Sequence, residues 1–272
     1  MTRARRLLGP ALVALALPLC APSAGAQERH PVYVGARVCA RCHSGPQAGH
    51  QFSLWLLSKH SMAYAALAMP ESKKIAELSG IRVDPQDSFT CLGCHSSGAQ
   101  AEDWEKDETF RVEDGVQCET CHGPGSEYMS AEVMADPEAA RAAGLLAPDR
   151  ETCLRCHRPK GTHVAVLGSK PLDVAEALAR IAHPRPGGAK VDRGPAAERA
   201  ADAATPGPKY IGAAACGKCH SGPQSGYQHS VWRMSAHAGA WAKLATPRAR
   251  ELARERGIRG DPQQSPDCLR CH

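Results

Sequence analysis

Aromatic side chains are scarce in this chain of 272 residues: Phe, Trp and Tyr together make up 4% of the sequence, and Phe occurs only three times. A globular domain normally uses aromatic side chains to fill its interior, because each buries a large apolar area. The polypeptide therefore lacks the material for a conventional core. Another large apolar group must take that place, and without it we expect the chain to fold poorly.

The sequence also lacks an apolar run that could cross a bilayer, which needs about 20 residues in a helix. The apolar run Leu7–Leu19 is shorter and is interrupted by glycine and proline. It follows a stretch with three arginines and precedes Ala24-Gly25-Ala26, an arrangement typical of a secretory signal peptide. We therefore predict a signal peptide over residues 1–26, cleavage near Ala26, and export to the periplasm without a membrane span.

The arrangement of the cysteines does not indicate a disulfide framework. Twelve of the thirteen cysteines form six Cys-x-x-Cys pairs, and the remaining one, Cys20, lies in the leader. Cys20 would suggest a lipoprotein, but Pro18-Leu19 is a poor sequence before it, where small residues are required. Thiols in this arrangement fit covalent attachment of a cofactor better than disulfide bonding.

A histidine follows each pair directly, so the pentapeptide Cys-x-x-Cys-His occurs six times. This is the attachment signature of haem c. Each thiol can add to one vinyl group of the same porphyrin, and the adjacent histidine can bind the iron as proximal ligand. We predict six covalently attached haems c. The attachment residues are Cys39, Cys42, Cys91, Cys94, Cys118, Cys121, Cys153, Cys156, Cys216, Cys219, Cys268 and Cys271, and the proximal ligands are His43, His95, His122, His157, His220 and His272.

The alternative is that these pairs bind zinc or exchange disulfides, with the histidines adjacent by chance. Only 13 of the 272 residues are His, so six chance placements are improbable. Zinc ribbons also place their second pair about 15–20 residues after the first, and most of these pairs lie farther apart. The pattern therefore favours haem iron.

The formal charge of +5 does not indicate a nucleic-acid partner. Three of the positive charges belong to arginines of the leader and are lost with it. The propionates of the haems add negative charge, so the loaded protein is expected to be acidic overall. The expected partners are redox proteins, an electron donor and an electron acceptor.

Residues 33–95 and 210–272, here called the first and second copy, align without a gap and share about half of their residues. A repeat of this length indicates a duplicated module. We predict a four-haem module over 27–183, a Pro/Gly/Ala-rich linker over 184–209, and an incomplete second module with two haems over 210–272. Because His272 is itself a predicted ligand, we expect the sequence to be a fragment of a longer protein; a true C-terminus is the alternative.

The predicted fold class is mainly α with much irregular loop, a haem-packed core and little or no sheet. Apolar residues at helical spacing predict helices over 46–68 and from Pro171 to about Ala182. Proline at the start and glycine at the end predict two more, from Pro70 to Gly80 and from Asp136 to Gly144.

Histidines outside the motifs are candidate distal ligands of the irons. His60 and His237 occupy equivalent Ser-x-His positions in the two copies, which favours both as ligands. His50 and His229 align with Tyr227 and Phe52, so a solvated helix face is the stronger interpretation for them. His163, close after the fourth motif, and His183, at the end of a predicted helix, are further candidates, with a surface position as the alternative.

Three segments resemble the tetrahaem cytochrome c554 family: Tyr33-x-Gly followed by Cys39–His43, then Trp55-x-x-Ser58-x-His60-x-x-Ala63, and Gly115-Val116-x-Cys118-Glu119-x-Cys121-His122-Gly123-Pro124-Gly125. The resemblance covers roughly residues 31–183 and 208–272. It implies a helical, haem-packed fold in the bacterial periplasm and a role in passing electrons between redox proteins. Related members act in the oxidation of hydroxylamine.

The same resemblance implies that His60 ligates the third haem and His183 the fourth. It also implies that the second haem is five-coordinate and able to bind nitric oxide. The chain departs from the family in one respect, since no histidine occurs between His122 and His157. The first haem is therefore expected to use His163 or to stay open.

We expect an electron carrier with mostly bis-histidine haems and no catalytic residues. The alternative is a multihaem oxidoreductase that acts on nitrite, hydroxylamine, nitric oxide or tetrathionate at a five-coordinate haem. Against an enzyme, the sequence has no Cys-x-x-Cys-Lys motif, which marks the active haem of nitrite reductases.

Overall fold

The structure, a computed structural model, describes residues 30–183 and 210–272. Contacts divide the chain into two units, Met1–His30 and Pro31–His272, and the helices of the described residues all belong to the second unit. The predicted signal peptide and the predicted linker both lie outside the described residues.

Helices, most of them short, make up the regular structure of the described residues. The first part contains α1 to α11: Ala36–His43, Gln51–Leu56, Ala63–Ala66, Pro70–Leu78, Phe89–His95, Cys118–His122, Ala131–Met134, Pro137–Ala142, Arg150–Leu154, Gly161–Leu167 and Val174–Ile181. The second contains α12 to α16: Ala213–His220, Gln228–Arg233, Ala240–Lys243, Pro247–Glu255 and Pro266–Leu269. Within residues 30–183 and 210–272, a single bridge between Tyr33 and Lys106 is the only strand-like pairing. The predicted fold class, mainly α with loops and no sheet, is confirmed.

The predicted helix over 46–68 is broken in two places. Gly49 and His50 adopt left-handed φ values of 70° and 54°, so the chain turns before α2 begins. After α2, the Ser61 hydroxyl donates to the carbonyl oxygens of Leu56 and Ser58 and stabilises a second turn. Local turns therefore replace one long amphipathic helix and bring His60 into a loop.

The helix boundaries of the structure agree better with the predicted ones where the sequence shows a capping residue. Helix α4 has Pro70 in its first turn and is followed by Gly80 at a φ of 70°. Helix α8 begins after Asp136, whose carboxylate accepts from the backbone N–H of Glu138. Helix α11 starts at Val174, not at Pro171, because Asp173 caps the N–H of Glu176.

The apolar core is small. One cluster joins Tyr64, Leu67 and Leu92, and several of the other buried apolar side chains are alanines. Such small side chains bury little area each, and area buried is the main source of hydrophobic stabilisation. This composition fits a chain in which bound cofactors supply apolar surface.

A buried carboxylate, Glu119, joins the segment before α1 to the third motif. It accepts hydrogen bonds of 2.8 Å from the backbone N–H groups of Val34, Gly35 and Gly125. Burial raises the pKa of Glu119, whereas these three bonds act to lower it. Glu119 thus holds together parts of the chain that are far apart in sequence.

The two copies have the same order of helices, but equivalent residues at their starts are buried to different degrees. In the first copy, Tyr33 pairs with the backbone of Glu105 and Asp107, and Val34 is 3% exposed. Their counterparts Tyr210 and Ile211 are exposed in the second copy. In the described residues, the segment 105–125 covers Tyr33 and Val34, and no equivalent segment covers Tyr210 and Ile211.

We expect Glu119→Ala to lower the free energy of unfolding of the haem-loaded protein by about 3 kcal/mol or more, because each buried donor left without a partner costs about 1–3 kcal/mol. Urea denaturation followed by far-UV circular dichroism measures this loss. Glu127→Ala, at an exposed position near the same turn, is the control and should change little. Equal stabilities of the two variants would contradict the role given to Glu119.

Candidate haem sites

The motif cysteines lie on or beside short helices. The first, second, third and fifth motifs are contained in α1, α5, α6 and α12, whereas α9 and α16 end inside the fourth and sixth. Residues three apart lie on one face of a helix, so both thiols of a pair can reach one porphyrin edge. None of the twelve motif cysteines is in a disulfide.

Five of the six motif histidines share one arrangement of the ring. The Nδ1 atoms of His95, His122 and His272 lie 2.9, 2.9 and 3.0 Å from the carbonyl oxygens of Ala63, Leu146 and Ala240. The Nδ1 atoms of His43 and His220 contact the side-chain oxygens of Gln51 and Gln228. An imidazole that donates through Nδ1 keeps Nε2 as the nitrogen that can bind a metal. Five of the six motif histidines therefore have the ring orientation that a metal ligand through Nε2 requires.

Two motif histidines face a second imidazole. The ring centroids of His60 and His157 lie 6.0 Å apart, and those of His122 and His183 lie 6.1 Å apart. With metal–nitrogen distances of about 2 Å, two imidazoles on opposite sides of one ion have centroids about 6–6.5 Å apart. Both pairs thus have the spacing of a bis-histidine site.

Burial, together with the nearby imidazole of His157, lowers the pKa of His60. A lowered pKa keeps the ring neutral at physiological pH, and the neutral form is the one that binds metals. Gly115 helps to position His60, since a Cβ there would lie 2.7 Å from the His60 carbonyl oxygen. The third motif and the His60 loop can pack this closely only with glycine at that position.

His163 lies on α10, beside the second motif. The neighbouring Lys160 places its Nζ 3.8 Å from the Cys94 Sγ, and Thr162 contacts Ser79 of the segment that leads to this motif. The Nδ1 of His163 is buried without a hydrogen-bonding partner, and burial is the main cause of its lowered pKa. His163 also contributes to the lowered pKa of His95, after burial.

Thiols from different motifs lie against one another. Cys39 and Cys118, from the first and third motifs, are within hydrogen-bonding reach, and this contact and burial raise the pKa of Cys118. Burial and the thiol of Cys94 raise the pKa of Cys156 to about 11. Cys153 likewise raises the pKa of Cys121, after burial. Direct contacts agree with this: Arg155 of the fourth motif donates to the Thr120 carbonyl oxygen of the third at 3.0 Å, and the Cys156 Sγ lies 4.0 Å from the Gly93 carbonyl oxygen of the second. The first and third, second and fourth, and third and fourth motifs are therefore neighbours.

The sequence profile of the family described as "Cytochrome c554 and c-prime" matches residues 38–123 and 215–272, which together exceed half of the chain. The chain belongs to the cytochrome c554 family. It is similar to cytochrome c-554 of Nitrosomonas europaea, with 31% identity over 101 residues, or 35% of this chain and 40% of that protein. The chain thus matches less than half of the length of this curated relative. No solved structure matches the chain.

Membership of the cytochrome c554 family implies haem c and electron transfer, in agreement with the motifs and with the orientation of the motif histidines. The resemblance implied His60 as a ligand of the third haem and His183 as a ligand of the fourth, and this assignment stays a prediction. His60 faces His157 of the fourth motif, and His183 faces His122 of the third. In the ranges 30–183 and 210–272, no helix is both long and apolar enough to span a membrane.

The other candidate histidines have different surroundings. His237 is exposed, unlike its counterpart His60. His50 is 6% and His229 is 8% exposed, so the expectation that they lie on a solvated helix face is wrong. The His229 ring packs against Gly217 within the fifth motif, and its Nε2 is buried without a partner.

Gln51 and Gln228 were not identified from the sequence as part of the haem sites. They occupy the same position in both copies, at the same distance after the motif histidine. This shared position was the available signal, but a glutamine retained on a helix is equally consistent with a solvated surface. Only the contact with the ring nitrogen gives it a role.

We expect Gln51→Leu to raise the midpoint potential of one haem, because losing the acceptor makes the His43 ring a weaker donor to oxidised iron. The shift should be roughly 40 mV, the equivalent of one hydrogen bond of about 1 kcal/mol at about 59 mV per tenfold. Spectroelectrochemical titration measures it, and Gln228→Leu should shift a different haem.

Gln47→Leu, at an exposed position near Gln51, is the matched control and should leave all potentials unchanged. If Gln51→Leu moves no component of the titration, or lowers one, the glutamine does not support the ligand.

Proposed function

We propose that this protein carries electrons in the periplasm between a donor and an acceptor protein, through six haems c attached at its six motifs. The observation that supports this most directly is the contact between different motifs: Arg155 donates to the Thr120 carbonyl oxygen at 3.0 Å, and the Cys156 Sγ lies 4.0 Å from the Gly93 carbonyl oxygen. A porphyrin is attached at its edge, so adjacent attachment points bring porphyrin edges together. Bound haem supplies a one-electron iron couple, and the protein determines the spacing and order of the sites.

The contacts between motifs suggest an order for the first four sites. The first motif neighbours the third through Cys39 and Cys118, the third neighbours the fourth through Thr120 and Arg155, and the fourth neighbours the second through Cys156 and Gly93. Electrons would then pass through the first, third, fourth and second sites in that sequence. The order in space differs from the order of the motifs in the chain.

The ligand scheme belongs to the same proposal. His60 would be the distal ligand of the fourth haem and His183 of the third, on the basis of the ring distances of 6.0 and 6.1 Å. His163 would serve the second haem, since it lies beside the second motif with an unpartnered buried nitrogen. His237 would serve a haem of the second module, by analogy with His60.

The surroundings of the first motif support the alternative function, a multihaem oxidoreductase. His50 is near this motif, but its Nδ1 lies 3.2 Å from the Ser44 carbonyl oxygen and 3.1 Å from the Gln263 side-chain oxygen. Its Nε2 lies 3.9 Å from a carboxylate oxygen of Asp261. With His50 engaged in this way, the first haem would keep an open face, where nitrite, hydroxylamine, nitric oxide or tetrathionate could react.

The visible and electron paramagnetic resonance spectra of the oxidised, fully loaded protein, before and after addition of nitric oxide, should test the two functions. An electron carrier should be mostly low-spin, accept about one electron per haem, and show no steady-state turnover with any of these substrates. Sustained turnover with one of these substrates would contradict the electron-carrier function and support the oxidoreductase. A protein that no one-electron donor reduces would refute both.

We expect His60→Ala to convert one haem of the oxidised protein from low-spin to high-spin, because it removes one of two strong axial ligands. The haem is identified by repeating the substitution without the fourth site, in the Cys153→Ser/Cys156→Ser variant. If His60 is a ligand of the fourth haem, His60→Ala adds no high-spin signal in the Cys153→Ser/Cys156→Ser variant.

The matched background is Cys118→Ser/Cys121→Ser, which removes the third haem and should leave the His60→Ala signal intact. Intact mass confirms the number of haems in each variant. The reverse result in the two backgrounds would assign His60 to the third haem, as the resemblance implied.

A further inference from the structure

We propose that the two copies dock as a pseudo-symmetric pair and that electrons cross directly between the modules at this contact. The proposal rests on the proposed electron-carrier function and adds a route to it. The contacts are of the kind found in a two-fold interface, where the same patch is used on both sides. Here, both patches belong to one chain.

Two glutamines in equivalent positions make the same contact in opposite directions. The Gln86 side-chain N–H donates to the Ser230 hydroxyl at 2.9 Å, and the Gln263 N–H donates to the Ser53 hydroxyl at 2.9 Å. Ser53 and Ser230 are equivalent residues, as are the glutamines. All four side chains are buried. Each copy thus supplies a donor and an acceptor to the other.

The same amides bind inside their own copies. The Gln86 amide also donates to the Tyr64 carbonyl oxygen at 3.3 Å, and the Gln263 amide donates to that of Trp241 at 3.1 Å. Helix α2 packs on α14 and α3 packs on α13, which is again a reciprocal arrangement. The contact is therefore continuous from the side chains to the helices.

The two halves of the interface differ at the equivalent positions 50 and 227. His50 reaches Gln263 and lies near Asp261, whereas its counterpart Tyr227 donates its hydroxyl to Asp84. Because Tyr227 turns to Asp84, the side-chain oxygen of Gln86 has no hydrogen-bonding partner. His50 and Tyr227 both have left-handed backbone conformations, with φ of 54° and 56°. Equivalent turns therefore present different side chains to equivalent sites.

This interface is formed by the segments that orient four motif histidines. Gln51, which contacts His43, follows His50, and Ala63, which accepts from His95, precedes Tyr64. In the second copy, Gln228 follows Tyr227 and Ala240 precedes Trp241, in contact with His220 and His272. The first, second, fifth and sixth sites are therefore arranged around one contact between the copies.

A protease site inserted into residues 184–209 of the haem-loaded chain allows the two modules to be separated by cutting. Size-exclusion chromatography and sedimentation at decreasing concentration then measure their association. We expect the cut halves to stay together. Gln86→Ala/Gln263→Ala should weaken the association about thirtyfold, because two hydrogen bonds are lost. The exposed equivalent pair Gln47→Ala/Gln224→Ala is the matched control and should behave as the unsubstituted protein.

Electron exchange is measured on the same samples by flash reduction with a flavin semiquinone. We expect a concentration-independent redistribution phase in the associated halves that disappears when they are diluted apart. Ser53→Ala/Ser230→Ala, which removes the acceptor hydroxyls with little change in volume, repeats the test if the glutamine variant does not fold.

Halves that separate as soon as they are cut would overturn the proposal, and so would identical redistribution kinetics in associated and separated halves. Neither result would affect the carrier function, because each half could still be reduced and reoxidised by external partners. Failure of any donor to reduce either half would instead overturn the proposed function itself.

Discussion

The orientation of the motif imidazoles is the constraint on which the rest of this structure depends. A ring that donates through Nδ1 must find an acceptor close to its own motif, and here the acceptors are Ala63, Leu146, Ala240, Gln51 and Gln228. All five of these residues come from segments outside the motif helix. The loops between motifs are therefore required to lie where the rings can reach them, which explains why such short helices are held in defined positions.

Polar contacts connect parts of the chain where apolar side chains are few. Glu119 binds three backbone N–H groups, and the interface between the copies is built on buried Gln and Ser. Buried polar groups are costly unless they are paired. Paired contacts also demand particular partners at particular distances, so they specify one arrangement more strictly than a few alanines and leucines can.

Duplication has produced two copies with the same helices but different surroundings. Tyr33 is covered where Tyr210 is exposed, and His60 faces another imidazole where His237 is exposed. Tyr227 in place of His50 changes one half of the interface without removing it. Each copy has kept the residues that orient its motif histidines, Gln51 and Gln228, and has diverged mainly in what it contacts beyond them.

The sequence by itself determined the cofactor class, the family and the helical fold class, because a covalent attachment signature and helix caps act over a few residues. It could not determine which distal histidine faces which motif. The tertiary structure placed His60 opposite His157, since this position depends on how turns at Gly49, His50 and Ser61 redirect the chain. It also packed α10 on α4 and so placed His163 beside the second motif. The reciprocal contacts of Gln86 and Gln263 likewise join residues far apart in sequence, and only folding brings such residues together.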